Sequence, residues 1–192
     1  FGDGSDGAGG ATGFLRNTPI EISEAEVPIR FRRYGLERDT GAAGRWRGGL
    51  SAVMEFEVSS PGTVVTARNR NRSIMPSWGL RGAAEAGVST FTRNPGRADA
   101  QDLGNTDVVQ CAPGDVIRVV GPGAGGWGDP LTRPTDLVMA DVAKGAVSAE
   151  RAEADYGVVI RDGALDMAAT EARRAAPRAA PPEFTFGARR IE

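Results

Sequence analysis

Three sets of residues have types and spacings that could do chemistry. The first lies in VVGPGAGGWGDPLTRP at 119–134, where Gly121-x-Gly123-x-x-Gly126 has the spacing of a dinucleotide fingerprint. Such a site needs a strand, then the glycines, then a helix whose first amides face the pyrophosphate. The strand is predicted over Val116–Val120, but Asp129-Pro130 follows the glycines at once and Pro134 comes soon after. The acidic residue expected at a second strand end falls in a helical pattern instead, at Asp136 or Asp141. A P-loop fails because Trp127, not Lys-Ser/Thr, follows Gly126. The loop therefore reads as a backbone device: Gly121, Gly123, Gly125, Gly126 and Gly128 permit positive φ and close approach, while Trp127 plugs into the domain. Contact with a partner or substrate in a larger assembly is the alternative.

The second set is Arg68, Arg70 and Arg72, which alternate with Asn69 and Asn71. On an extended chain all three guanidinium groups share one side and could clamp a carboxylate or phosphate. A solvated loop, or arginines bonded to carbonyls, is the plainer reading. The third set is acidic. Glu55 and Glu57 fall on the solvent face of a predicted strand and read as surface charges. Asp3 and Asp6 suggest a calcium loop, but the twelfth position counted from Asp3 is Phe14 rather than a glutamate, so a solvated loop is expected.

The 192 residues contain no histidine, which removes histidine general bases, catalytic triads and histidine metal ligands. Cys111 is the lone cysteine, so no internal disulfide or cysteine metal cluster can form; it ends an apolar run and reads as a buried, inert thiol. That usage fits a reducing, cytoplasmic setting. A net charge of −2 provides no basic field for nucleic acid or membrane. No stretch approaches the ~20 apolar residues of a membrane span. The opening Phe1-Gly2-Asp3 suggests a processed product, a domain or part of a larger subunit.

The elements that must position these residues follow from periodicity. Residues 1–16 are a glycine-rich arm. Ile29–Tyr34 alternates as a strand does. In 50–58, Ala52, Met54, Phe56 and Val58 face one way, with Ser51, Val53, Glu55 and Glu57 opposite. Pro61-Gly62 predicts a turn returning 63–67 as a hairpin partner, and Ala112-Pro113-Gly114 predicts a second hairpin between 107–111 and 115–120. Residues 87–93 form another strand, and Pro76 and Trp78 anchor the irregular stretch before it. Helices are expected over 135–145, 148–157 (capped by Ser148 and stopped by Gly157) and 165–176, with a short strand at 158–161. The fold class is mainly β, an antiparallel sandwich or barrel-like domain with a short helical C-terminal extension, α+β as a whole. The expected division is an arm at 1–16, a β-rich domain at 17–134, a helical extension at 135–176 and a proline-interrupted tail at 177–192.

Several stretches, in order, resemble the C-terminal region of the hydantoinase B/oxoprolinase family. They are RNTPIEISEAEVPIRFRRYGLERDTGAAGRWRGGL, MPSWGLRG, APGDVIRVVGPGAGGWGDPL and LVMADVAKGAVSAERAEADYGVVI. The resemblance spans roughly residues 3–161 and includes Asn17-Thr18-Pro19-Ile20-Glu21, the Pro-x-Trp-Gly-Leu motif at 76–80 and the close on Gly128-Asp129-Pro130. It implies part of an ATP-dependent hydrolase of hydantoins, oxoproline or lactams, or of an acetone/acetophenone carboxylase-type complex. It implies ATP and a divalent metal for the full complex and no cofactor in this chain. Its implied partners are a hydantoinase A-type subunit and the N-terminal half of the hydantoinase B-type subunit, where the family's metal-binding histidines and aspartates lie. After Asp3-Gly4-Ser5-Asp6-Gly7 the family often carries a histidine-containing stretch; here it reads AGGATGFLR. The implied role is scaffold and subunit interface in a hetero-oligomer, with no catalytic residue of its own. A non-catalytic β-domain for assembly or ligand binding is the competing reading.

Overall fold

The computed structural model describes residues 2–7, 18–67 and 73–177. In chain order the elements are α1 (Ile20–Glu26), β1 (Ile29–Glu37), β2 (Ser51–Val58), β3 (Thr63–Thr66), β4 (Thr90–Arg93), β5 (Gln101–Asp102), β6 (Val108–Cys111) and β7 (Val116–Val120). Then come α2 (Thr135–Ala143), α3 (Ala149–Tyr156), β8 (Ile160–Arg161), β9 (Ala164–Leu165) and α4 (Met167–Ala175). The main sheet has five strands in the order β1-β2-β7-β4-β5, every neighbouring pair antiparallel. Its two edges, β1 and β5, do not meet, so the α+β fold contains no closed barrel. No described helix is long and apolar enough to cross a membrane.

Neither predicted hairpin forms. β3 pairs with β6, and β2 and β7 pair with each other. The turns at Pro61-Gly62 and Pro113-Gly114 are corners at which the chain leaves one sheet for the other. They are stitched together by Val58 N–H donating to the Asp115 carbonyl and Gly114 N–H to the Val58 carbonyl, both at 2.8 Å. Val109 and Cys111 of the β3–β6 ribbon close over Val58, Phe91 and Ile117 of the main sheet, with Phe56, Val65 and Val119 at the margin. This is sandwich packing, in which each strand's inward residues meet the other layer. Cys111 is buried there, and burial first, then the Asp115 charge, pushes its thiol above the ordinary range against the pull of Arg93.

The second face of β2 is not uniformly solvent-facing as its alternation suggests. Ser51 and Val53 are buried while Ala52 is exposed. Val53 stands opposite Val120, where β7 runs into the glycine loop. Glu57 keeps a surface role: it pairs with Arg32 at 2.7 Å, and that hydrogen bond holds its carboxyl below the usual range.

The helical extension packs on the β-domain around Ala43 and also bonds to it at Asp39, whose N–H donates to the Ala146 carbonyl and whose Oδ1 accepts the Ser148 N–H. Val138, Val147, Ala152, Tyr156 and Val158 bury themselves around Ala43. Ser148 caps α3 by accepting the Arg151 N–H, and Gly157 ends it in the left-handed region at φ 64°. α2 starts on Pro134 with no side-chain cap. α1 has no counterpart in the predicted elements; Pro19 and Glu21 are its only start signals.

Candidate functional site

The glycine loop is one wall of a junction between three connecting segments. Trp127 and Trp46 exchange both backbone hydrogen bonds at 3.0 Å, and Leu80 brackets Trp127 from the other side, donating to Gly126 O at 3.0 Å and accepting from Gly128 N–H at 2.8 Å. Ala42 N–H donates to Ala124 O, and Ala124 N–H to Gly49 O, both at 3.0 Å. Such approach needs bare backbone. A Cβ on Gly123 would run into the Thr40 carbonyl, one on Gly125 into that of Trp78, and one on Gly48 into that of Ala124. The physical requirement in this loop is therefore absence of volume at Gly123 and Gly125; positive φ is needed at Gly128, at 77°.

The same bridges correct the reading of Trp127 as a plug. Trp127 is 40% exposed, Trp78 43% and Leu80 45%. Residues paired across a ladder project to one face. Trp46, Trp127 and Leu80 therefore form a row on a backbone fixed on both sides, with the last two still open to solvent. The loop is anchored by its main chain, and its large side chains are presented outward.

Beside the row lies a buried ionic network that spacing alone did not reveal. Arg133, 1% exposed, donates to both Asp3 carboxylate oxygens at 2.7 Å, to Asp141 Oδ2 at 2.8 Å and to the Arg45 carbonyl at 3.0 Å. Arg47 donates to Asp6 Oδ1 at 3.0 Å and approaches Asp141 Oδ1 at 3.6 Å. Burial by itself raises the Asp3 and Asp6 carboxyls, but the arginine and backbone hydrogen bonds outweigh it and hold both below the ordinary 3.8. Asp3 and Asp6 are thus ion-pair partners and not the solvated aspartates that the sequence suggests. The one legible signal was their recurrence in Asp-Gly units three residues apart. Arg174 completes the joint from α4, donating to the Tyr156 and Arg133 carbonyls at 3.0 and 2.9 Å. Burial pushes the Tyr156 hydroxyl well above its ordinary range.

Arg68, Arg70 and Arg72 lie outside the described residues. Glu55 faces Arg118 across β2 and β7, apart from the glycine junction. The hub of these contacts is the segment 39–49. Its Ala43 seats the helices, its Gly44 and Gly48 touch the glycine loop, and its Arg47 receives the N-terminal arm.

The hydantoinase B/oxoprolinase family model matches residues 1–130. The chain belongs to the hydantoinase B/oxoprolinase family. It is 37% identical over 170 residues to the caprolactamase subunit beta of Pseudomonas jessenii, a match covering 85% of this chain and 29% of that one. The crystal structure of the ATP-dependent caprolactamase from Pseudomonas jessenii superposes with a TM-score of 0.74 at 35% identity, over 82% of this chain and 28% of that chain. The nucleotide-free structure of acetone carboxylase superposes with a TM-score of 0.69 at 25% identity, over 82% of this chain and 26% of that chain. The chain thus spans less than a third of the length of these hydantoinase B-type relatives.

The described residues do not fit the ATP and metal that the family resemblance implies for a full complex. The amides of Gly121, Gly123, Ala124, Trp127 and Gly128 already donate to backbone carbonyls and are not offered to a phosphate. No described cluster of three or more Asp, Glu, Cys or His is arranged to hold a metal ion. No reaction step is assigned to this chain.

Proposed function

We infer that this domain serves as scaffold and subunit interface in an ATP-dependent hydrolase that opens cyclic amides such as hydantoins, oxoproline or lactams. Its partners in this reading are a hydantoinase A-type subunit and the remainder of a hydantoinase B-type subunit. The observation that carries it is the outward row at Trp127 and Leu80, fixed by backbone bridges on a chain that spans 29% of the caprolactamase beta subunit. Exposed apolar side chains on a rigid backbone are what an interface core needs, because little entropy is lost on docking. Arg68, Arg70 and Arg72 are proposed anion contacts of the same assembly.

The domain by itself is catalytically inert in this reading. Purified chain incubated with ATP, a divalent cation and hydantoin, 5-oxoproline or caprolactam should release neither ring-opened product nor ADP above background. Turnover by the isolated chain would sink the reading. The likeness to acetone carboxylase supports a second reading, a ketone-activating complex. ATP consumption that depends on a ketone and bicarbonate, and not on a cyclic amide, would select it.

A further inference from the structure

The N-terminal arm is held by a contact that occurs twice. Asp3 Oδ1 accepts the Arg47 N–H at 2.8 Å, and the next residue, Gly4, donates its N–H to the Arg47 carbonyl at 2.8 Å. Three residues on, Asp6 Oδ1 accepts the Leu50 N–H at 2.8 Å, and Gly7 donates to the Leu50 carbonyl at 2.8 Å. Each Asp-Gly pair therefore straddles one residue of the segment 47–50, satisfying its N–H and its C=O together. Each aspartate then reaches an arginine: Asp3 meets Arg133 and Asp6 meets Arg47.

The fit is specific in shape as well as charge. A Cβ on Gly4 would stand 2.6 Å from the Gly49 nitrogen, and one on Gly49 would run into the Ser5 carbonyl. Gly7 sits at φ 61°, a conformation that side-chain-bearing residues rarely adopt. Charge, hydrogen bonding, glycine floor and glycine ligand all read the same five-residue pattern.

We propose that residues 47–50 with Arg133 form a receptor groove for acidic peptides of the pattern Asp-Gly-x-Asp-Gly, that residues 2–7 are its resident ligand, and that the same motif binds it in trans. The recognition resembles addition of an extended strand, with main-chain bonds giving affinity and two arginines giving selectivity. It concerns a site apart from the Trp127 row and holds whatever the substrate of the assembly.

The test uses the full chain carrying Asp3→Asn and Asp6→Asn, which weakens the resident strap, titrated calorimetrically with the synthetic peptide FGDGSDGAGG and its double Asp→Asn counterpart. The Asp peptide should bind at least tenfold more tightly than the Asn peptide, and should slow hydrogen exchange at the Arg47 and Leu50 amides. The wild-type chain, its groove already filled, should bind the Asp peptide at least tenfold more weakly. Equal binding of the two peptides, no binding to a variant whose circular dichroism matches wild type, or protection elsewhere would overturn the proposal. Should the variant not fold, a wild-type chain with a protease site inserted between Gly10 and Ala11, cut after purification, decides. Uptake of labelled Asp peptide but not Asn peptide supports exchange in trans; uptake of neither refutes it.

Discussion

A single methyl group separates Gly123 from a clash with the Thr40 carbonyl, while a methyl on Gly87 would come no nearer than 3.9 Å to the same atom. Neither glycine has positive φ, so their substitutions differ only in space. Gly123→Ala should destabilise the fold by about 1–3 kcal/mol or more, as overpacking does. Gly87→Ala should stay within about 0.5 kcal/mol of wild type. Chemical denaturation of the two variants checks the contrast, and equal losses would mean that the loop is not volume-limited. Arg133 poses a different case. Its removal takes the close partner from the buried Asp141 and from the part-exposed Asp3, so Arg133→Ala should cost about 3–5 kcal/mol, the usual consequence of breaking a buried ion pair. Arg133→Met, which also lacks the charge, should be nearly as costly in the wild type. It should be partly rescued when Asp3→Asn and Asp141→Asn are added, because the stranded carboxylates go with them.

Among the elements, the three C-terminal helices announced themselves through local grammar, while α1 did not. Ser148, Gly157 and the acidic first turn of α3 are chemical signals within a few residues of one another, and the structure places cap and stop at those positions. Ser148→Ala should therefore cost about 1 kcal/mol, readable as a fall in the melting temperature. The longer strands announced themselves too, though the two-residue β5 and β9 did not, and the strands' partners were not legible. Pro61-Gly62 and Ala112-Pro113-Gly114 carry turn chemistry that serves a hairpin and a sandwich corner alike. The choice depends on whether Val109 and Cys111 gain more by covering Phe91 and Ile117 than by lying beside β7, a non-local term that no window of sequence contains. The arginine joint was illegible for the same reason: 130 positions separate Asp3 from Arg133. The glycine loop was legible as a backbone device, because the absent helix and early prolines are local. The outward direction of Trp127 was not, since a large apolar residue in a glycine stretch reads as buried until its ladder partners are known.

At the scale of the whole molecule, a charged joint of Asp3, Asp6, Arg47, Arg133 and Asp141 joins the arm and the helical extension to the β-domain beside the apolar seat at Ala43, and it ties stability to pH. The folded state lowers the Asp3 and Asp6 carboxyls below their ordinary 3.8, and unfolding returns them to it. The sign follows from linkage: the unfolded chain binds protons first, so the stabilisation is complete above 3.8 and is lost as pH falls through the lower folded values. Thermal melts should be nearly flat near neutrality and drop steeply below about pH 4. The Asp3→Asn/Asp6→Asn chain should start lower and drop less over the same window. Parallel curves would place the acid sensitivity elsewhere, for instance at Asp115, whose carboxyl is also lowered despite burial by the Ala112 N–H, Arg93 and Asn94.

We propose that this hydantoinase B/oxoprolinase domain contributes a surface and not a reactive group. The direct measurement is affinity capture of the tagged chain from its native cells, followed by assay of the captured material for ATP-dependent opening of caprolactam, hydantoin and 5-oxoproline. Wild-type chain should bring down an active complex, and a folded Leu80→Asp/Trp127→Asp chain should bring down at least tenfold less activity. Activity that follows the isolated chain, or that is unchanged by charging the Trp127 row, would contradict it.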